Sequence, residues 1–578
     1  MDRGGDTVEQ ITQTPHRRMS GLARHIPGVV ALRSYERSWL RFDLVAGVVL
    51  AAILVPQGMA YAELAGLPAV TGLYTTIACL VGYALMGPSR VLVLGPDSSV
   101  SPLIFAAIFP LVAVTDDPAT AIALAGMMAV MVGVILIGLG AGKLGFVADL
   151  LSKEVQVGYM NGLAITIVVG QLPKLFGFST DADDFIEEVR TFVSGLDERN
   201  TTALLVGLAT LAVLLLLPRV TRVIPAVLVA VVGATVATAI FDLEISTVGA
   251  LPQGLPRPAV PWTAWDDVAP MMIAAAGITL VSLTDTIATA TAFAARRGDE
   301  VDPNQEMIGI GTANIAAGVF QGFAVSTSGS RTAVAEQSGA KSQLSSLVGA
   351  LMVALLLLFF STLLADLPQT ALAAVVIGAA LSLADFAALR HYLRVRRSSF
   401  VLSLVATGGV VFFGVLQGIL IAVVLSILLF FKRSWWPHGE VLGRVPGEGW
   451  HSLSQSPTAE ERADVIVYRW EAPLFFANAG MFRQQVRHLV HERHPRWVVL
   501  QCEAITDIDV SAADVLEQLD RELNAKGVHV AFVELRDRLQ DLVYRYGLFD
   551  TLDRDHFYDS IEQALAAIDA KMTDEPAP

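Results

Sequence analysis

The sequence predicts a polytopic α-helical membrane protein that ends in a small soluble α/β domain. Three observations carry this. From Leu44 to Phe431 the chain is a series of apolar stretches broken only by Gly, Pro and short polar turns. A spanning helix needs about 20 apolar residues, so this region has room for roughly a dozen or more crossings. Charged residues make up 16% of the chain, hydrophobic ones 54%, and the mean hydropathy is +0.57; a soluble chain carries about 25% charged residues. Past Lys432 the composition becomes that of an ordinary soluble domain.

The apolar segments lie near Leu44–Leu64, Thr71–Met86, Ser98–Val114, Ala119–Leu139, Val155–Leu172, Thr202–Leu217 and Val223–Ile240. Further segments lie near Ala269–Ala295, Glu306–Phe320, Leu344–Ala365, Ala371–Leu383 and Val401–Phe431. The last is long enough for two crossings joined by a tight turn near Phe413-Gly414. Beyond them Val465–Trp470, Trp497–Cys502 and Val528–Val533 read as strands, and Met481–Val490, Ala512–Ala525 and Leu539–Tyr546 as helices. This alternation predicts a compact α/β unit.

Charge sets the expected topology. Arg17, Arg18, Arg24, Arg33, Arg37 and Arg41 precede the first span, and Lys432 and Arg433 follow the last. By the positive-inside rule both termini are expected in the cytoplasm, with an even number of crossings of the cell (inner) membrane. No apolar h-region of a cleavable signal occurs in the first forty residues. The net charge of -15 argues against a nucleic-acid partner. Cys79 and Cys502 fall in different regions, which argues against a disulfide. The ten histidines show no metal spacing, there is no Gly-Lys-Ser/Thr phosphate loop, and no catalytic set emerges. Neither an enzyme nor a cofactor is expected.

Two polar breaks interrupt the apolar pattern. One is Val91-Leu92-Val93-Leu94-Gly95-Pro96-Asp97-Ser98-Ser99-Val100-Ser101; the other is Phe323-Ala324-Val325-Ser326-Thr327-Ser328-Gly329-Ser330-Arg331. Each is a short apolar run, then small polar residues, then a candidate helix. Their similar placement points to an inverted repeat with discontinuous helices, whose half-helix N-termini face a substrate near the midplane. The free N–H groups and positive dipole ends there suit an anion. The alternative is a pair of polar loops outside the membrane. Arg331 adds a fixed cation, which at membrane depth costs about 3 kcal/mol on insertion scales and faces protein or water rather than lipid.

These motifs resemble the sulfate permease (SulP) family, which includes prestin and pendrin. Val55-Pro56-Gln57-Gly58-Met59-Ala60-Tyr61-Ala62 is similar to its first-span motif. Leu67-Pro68-Ala69-Val70-Thr71-Gly72-Leu73-Tyr74 with Gly87-Pro88-Ser89-Arg90 is similar to its second-span signature, with Thr71 as a departure. Asn304-Gln305-Glu306-Met307-Ile308-Gly309 and Ser328-Gly329-Ser330-Arg331-Thr332-Ala333-Val334 resemble two later motifs, the second shortened by two residues. In the tail, Leu474-Phe475-Phe476-Ala477-Asn478-Ala479 and Asp507-Ile508-Asp509-Val510-Ser511-Ala512-Ala513 resemble the STAS domain of sulfate transporters and anti-sigma-factor antagonists.

The resemblance implies fourteen transmembrane segments in a 7+7 inverted repeat, with a substrate-carrying core domain, a gate domain that forms a homodimer scaffold, and a C-terminal cytoplasmic α/β STAS domain. Short strands are expected before the third and tenth helices, with the anion between those N-termini. The expected organisation is an N-terminal segment 1–43, a transport domain 44–431, a linker 432–460, a STAS domain 461–572 and a tail 573–578. Ser511 falls where antagonists are phosphorylated, although Ala512 replaces their glycine; it is a regulatory phosphosite candidate, with helix capping as the alternative.

The substrate-binding candidates are Gln57, Ser98, Ser99, Ser326, Thr327, Ser328, Gly329, Ser330 and Arg331. The small residues equally suit helix packing, and Gln57 equally suits satisfying backbone freed by Pro56. Asp285 lies inside an apolar span, where a carboxylate favours its neutral form unless a cation is near. It is the coupling-ion candidate for H+ or Na+, with Thr289 one turn on along the same helical face; in sodium-coupled relatives an acid and a threonine at matching positions bind sodium. The alternative is an Asp285–Arg331 ion pair with no coupling role. Asp97 beside the expected anion site repels an anion unless it is protonated or paired with Arg331. The expected function is secondary active transport of a small anion of the sulfate, bicarbonate or dicarboxylate class by an elevator motion. Exchange, an uncoupled channel, or a membrane-tethered signalling protein whose STAS domain has a regulatory partner are the alternatives.

Overall fold

The computed structural model describes residues 26–112, 117–180, 182, 184–221, 225–252, 254–261, 265–548, 552 and 554–574. Arg17, Arg18 and Arg24 lie outside them, as does the end of the tail. The described chain divides into two compact units, Met1–Ser426 and Ile427–Pro578.

In chain order the first unit holds α1 (Pro27–Arg33), α2 (Leu40–Leu64), α3 (Ala69–Met86), β1 (Leu94–Gly95), α4 (Ser101–Val112), α5 (Pro118–Ala141), α6 (Lys153–Phe176), α7 (Phe185–Ser194), α8 (Thr201–Val220) and α9 (Ala226–Phe241). The second half repeats this order with α10 (Trp265–Ala295), α11 (Pro303–Val319), β2 (Ser326–Thr327), α12 (Gly329–Gln337), α13 (Leu344–Phe359), α14 (Gln369–Leu383), α15 (Phe386–Val395), α16 (Arg397–Phe413) and α17 (Val415–Trp435). Leaving aside α1, α7 and α15, each half contributes seven apolar or core helices. In both, a two-residue strand follows the second helix and a short amphipathic helix follows the fifth. The expected 7+7 arrangement is therefore visible in the order of elements alone.

Local chemistry sets the helix ends. The side chains of Asp117, Asn200, Asp302 and Asp385 accept from backbone N–H groups at the starts of α5, α8, α11 and α15. Each satisfies a donor that the helix leaves unpaired. The long apolar run breaks at Gly414, whose φ of +93° a side chain resists, so α16 and α17 are separate crossings.

Contacts sort these helices into two bundles. One contains α2, α3, α4, α5, α10, α11, α12 and α13; the other is built on α6 packing against α14, α16 and α8. The tightest seam of the first bundle joins α5 and α11. A Cβ on Gly318 would meet the Gly126 carbonyl at 2.4 Å, one on Gly133 the Gly311 carbonyl at 2.6 Å, and one on Gly140 the Asn304 carbonyl at 2.6 Å. These contacts recur every seven residues along two antiparallel helices, so the backbones touch where lipid gives helices no hydrophobic reason to associate. Large side chains such as Leu205, Leu216, Val232 and Ile240 point outward, as helices facing lipid require.

Hydropathy does not mark α12, which is short and polar, nor the amphipathic α7 and α15. It also places the start of α4 too early: residues 98–100 form a turn.

The second unit is a six-stranded sheet of order β4-β3-β5-β6-β7-β8. Its strands are β3 (Gly439–Val445), β4 (Gly449–Ser452), β5 (Val465–Trp470), β6 (Trp497–Gln501), β7 (His529–Val533) and β8 (Phe557–Tyr558). Strands β5 to β8 run parallel, and α18 (Ala479–Arg493), α19 (Val510–Asn524), α20 (Asp537–Arg545) and α21 (Ile561–Asp574) complete the unit. The stretch 432–460, read as a linker, contains the β3–β4 hairpin, which pairs antiparallel with β5. Its glycines and short strand lengths hide the alternation. Asp509 caps α19 by accepting from the Ala512 N–H at 2.8 Å. Ser511 is therefore not the cap; it is exposed in the first turn.

Candidate anion-binding site

Strands β1 and β2 pair antiparallel, Leu94 opposite Thr327 and Gly95 opposite Ser326. Each then runs into a helix, so the pairing brings the start of α4 close to the start of α12. Side chains lock this crossing. The Asn314 amide on α11 accepts from the Val325 N–H at 2.9 Å and donates to its carbonyl at 3.3 Å. The Thr332 hydroxyl accepts from the Val93 N–H at 3.1 Å, and the Ser282 hydroxyl on α10 donates to the Val325 carbonyl at 3.0 Å.

Arg331 lies between the two helix starts. It is 1% exposed, and its Nη2 faces Asp97 Oδ1 at 3.4 Å. Its Nε and Nη1 are buried without a partner among the described residues. A buried donor left unmade costs about 1–3 kcal/mol, and more when charged. Gly95 makes room for the guanidinium: a Cβ there would sit 2.6 Å from Nη1.

The two helix starts are filled differently. At α4, Asp97 Oδ2 accepts from the Ser99 N–H at 3.0 Å and from the Ser99 hydroxyl at 2.7 Å. At α12, the Ser328 hydroxyl accepts from the Arg331 N–H at 3.5 Å and lies 3.0 Å from the Ser330 hydroxyl. Gly329 and Ser330 are exposed, while Ser98, Ser99, Ser326 and Thr327 are buried.

Two further helices close around this point. Tyr61 on α2 lies beside Ser98 and faces Asp97 and Arg331. Gln57, one turn earlier, is buried with an amide oxygen that has no partner among the described residues. From the other bundle, α6 brings the Tyr159 hydroxyl, which donates to the Ser99 carbonyl at 3.2 Å. It also brings the Gln156 amide, which donates to Asp285 at 3.3 Å. The site thus sits where the two bundles meet.

An Asp285–Arg331 pair is one expectation from the sequence. The structure instead pairs Arg331 with Asp97, which the turn before α4 holds in place, and gives Asp285 a neutral amide partner. Asp285 still neighbours Ser99 and Asp97. Thr289 lies one turn along α10, half-buried; the α10 threonine that meets β2 is Thr286, whose Oγ1 is 2.6 Å from that of Thr327. Tyr61, Gln156, Tyr159 and Thr286 escaped the sequence reading. For Tyr61 the signal was its spacing of four from Gln57, which puts both on one helical face. Among the described residues, no three His, Cys, Asp or Glu form a metal-binding group. A separate cavity of about 200 Å³ opens beside α10, lined by Arg90, Phe293, Arg297, Glu300 and Glu306 among others.

A family model described as Sulfate permease family matches residues 40–406, and the STAS domain model matches residues 456–564. A probable sulfate transporter of Mycobacterium tuberculosis (strain H37Rv) is 40% identical over 547 residues, covering 94% of this chain and 97% of the relative. The chloroplastic sulfate transporter 4.1 of Arabidopsis thaliana is 29% identical over 557 residues, covering 92% and 81%. Among solved structures, the fold resembles murine SLC26A9, an anion transporter, with a TM-score of 0.86 at 23% identity over 98% of this chain and 100% of that one. It also resembles the transmembrane domain of the cyanobacterial bicarbonate transporter BicA, with a TM-score of 0.60 at 24% identity over 68% and 98%.

Proposed function

Because the chain belongs to the sulfate permease family, whose members are transporters and not enzymes, we propose that it is a secondary active transporter that binds sulfate between the starts of α4 and α12. The observation that carries this is Arg331: a buried guanidinium with two unpaired N–H groups among the described residues, beside two half-helix N-termini. A tetrahedral dianion accepts several hydrogen bonds at once and matches a planar fork of donors better than a point charge does. The names of the relatives favour sulfate over bicarbonate or a dicarboxylate.

Asp285 is the coupling residue in this reading. It is a carboxylate among apolar helices, held by the neutral Gln156 amide, so it takes up a cation at low electrostatic cost. The cation is H+ or Na+, with Thr289 one turn on along α10 as a further oxygen donor. The first bundle, carrying Arg331, Asp97 and Asp285, moves against the second as an elevator. The Tyr159 and Gln156 hydrogen bonds then break and re-form as it does so. Both termini face the cytoplasm of a bacterial-type inner membrane, and the second bundle forms the scaffold of a homodimer.

Uptake of labelled sulfate, bicarbonate and fumarate into proteoliposomes, with pH and sodium gradients imposed separately, tests the reading. Sulfate is expected to accumulate, and one of the two gradients to drive it. Asp285→Asn is expected to abolish accumulation while leaving binding. Concentrative uptake by Asp285→Asn removes the coupling role, and wild-type sulfate affinity in Arg331→Ala removes the site.

A further inference from the structure

We propose that the carboxylate of Asp97 is a tethered competitor of the transported anion, occupying part of the anion's place. The inference rests on the reading of Arg331 as the anion site. Asp97 makes the contacts a bound anion would make. One oxygen faces the guanidinium at 3.4 Å; the other accepts from a backbone N–H and a hydroxyl at the start of α4, at 3.0 and 2.7 Å. These are the donor types that recognise anions at helix starts. The occupancy is partial, because Arg331 Nε and Nη1 stay unpaired among the described residues. The carboxylate covers the α4 start and one edge of the guanidinium and leaves the remainder open.

Charge counting gives the consequence. The titratable groups that face Asp97 are Arg331 on α12, Asp285 on α10, Tyr61 on α2 and Tyr159 on α6. With both carboxylates ionised and both tyrosines neutral, one cation faces two anions, and the cluster is already negative before any cargo arrives. Adding an anion to a buried negative cluster is strongly unfavourable. Replacing the Asp97 carboxylate by a neutral side chain of similar size removes one negative charge and frees the Arg331 edge in the same step, so anion affinity rises in such a variant.

The test is equilibrium binding of labelled sulfate, bicarbonate and fumarate to the full-length protein in lipid nanodiscs. The substitution Asp97→Asn keeps an acceptor for the Ser99 donors without the charge, and Asp97→Thr serves as a second variant; thermal unfolding checks that each is folded. Both are expected to bind the anion at least about tenfold more tightly than wild type. Equal or weaker binding by the folded Asp97 variants overturns the inference. If Arg331→Ala still abolishes binding in both the wild-type and Asp97→Asn backgrounds, the site reading survives that failure. If Arg331→Ala binds like its parent, or if no variant binds any of the three anions, the site reading falls and takes the inference with it.

Discussion

Gly95 controls how far the Arg331 guanidinium can advance, because a methyl group there would meet Nη1 at 2.6 Å. Gly95→Ala is expected to push the guanidinium away from its acceptors. Overpacking a close site costs about 1–3 kcal/mol, so sulfate should bind about fivefold to hundredfold more weakly. Isothermal titration of the purified variant measures this, and unchanged affinity means that Arg331 has room to yield. Arg331 and Asp285 were legible in the sequence because a charge inside an apolar run stands out one residue at a time. Their partners were not. Asp97 and Asp285 both precede a helical stretch of small residues, and only the crossing of β1 with β2 decides which of them meets the arginine. Tyr159 and Gln156 look like ordinary residues of an apolar helix until α6 is laid against Ser99 and Asp285.

At the scale of elements, the α5–α11 seam keeps the first bundle rigid. Gly318→Val puts a branched side chain where a single Cβ already meets the Gly126 carbonyl at 2.4 Å. A loss of about 1–3 kcal/mol is expected, read as a lower Tm in detergent. Because α11 carries Asn314, which holds both polar groups of Val325, anion binding should weaken in the same variant. A variant with lower Tm and intact binding would show that β2 stays in place without the seam. The long apolar helices were legible from hydropathy. The nine-residue α12 was not, since five of its residues are polar or charged and its place in the membrane unit comes from the residues around it. The β3–β4 hairpin was hidden for a different reason: strands of seven and four residues rich in glycine carry too little alternation to stand out.

At the scale of the whole molecule, every side chain proposed to touch anion or coupling ion comes from the first unit. A chain truncated after Trp435 is therefore expected to bind sulfate with an affinity within about twofold of the full chain. Loss of binding in a folded truncation would give the STAS unit a part in building the site. The second unit has its own ion network, in which Arg462 Nη2 reaches Asp464 at 3.1 Å and Asp569 at 2.8 Å. Burial pushes the Asp464 carboxyl up, but the Arg462 hydrogen bond and a backbone N–H outweigh it and hold it below the usual carboxylate range. A carboxylate lowered in the folded state adds stability above its unfolded value of about 3.9, and this is lost as pH falls through the folded value. Arg462→Ala should therefore start to lose its second unit at a higher pH on acid titration. The difference is at most about 1 kcal/mol, because the pair is partly solvated. Near-ultraviolet circular dichroism of the tryptophans follows it, and coincident acid transitions would show that the network adds nothing.

The two-residue strands also set a schedule for synthesis. Val93 hydrogen-bonds to a threonine 239 residues later in the chain. At about 5–20 residues per second, a ribosome needs roughly 10–50 seconds to deliver that partner. Through this interval the first half is in the bilayer with Asp97 made and its arginine not yet made. A nascent acid without its cation is costly to bury, so the start of α4 has to settle late. A variant that slows emergence of residues 326–332 should expose this as accumulation of a half-built, protease-sensitive intermediate.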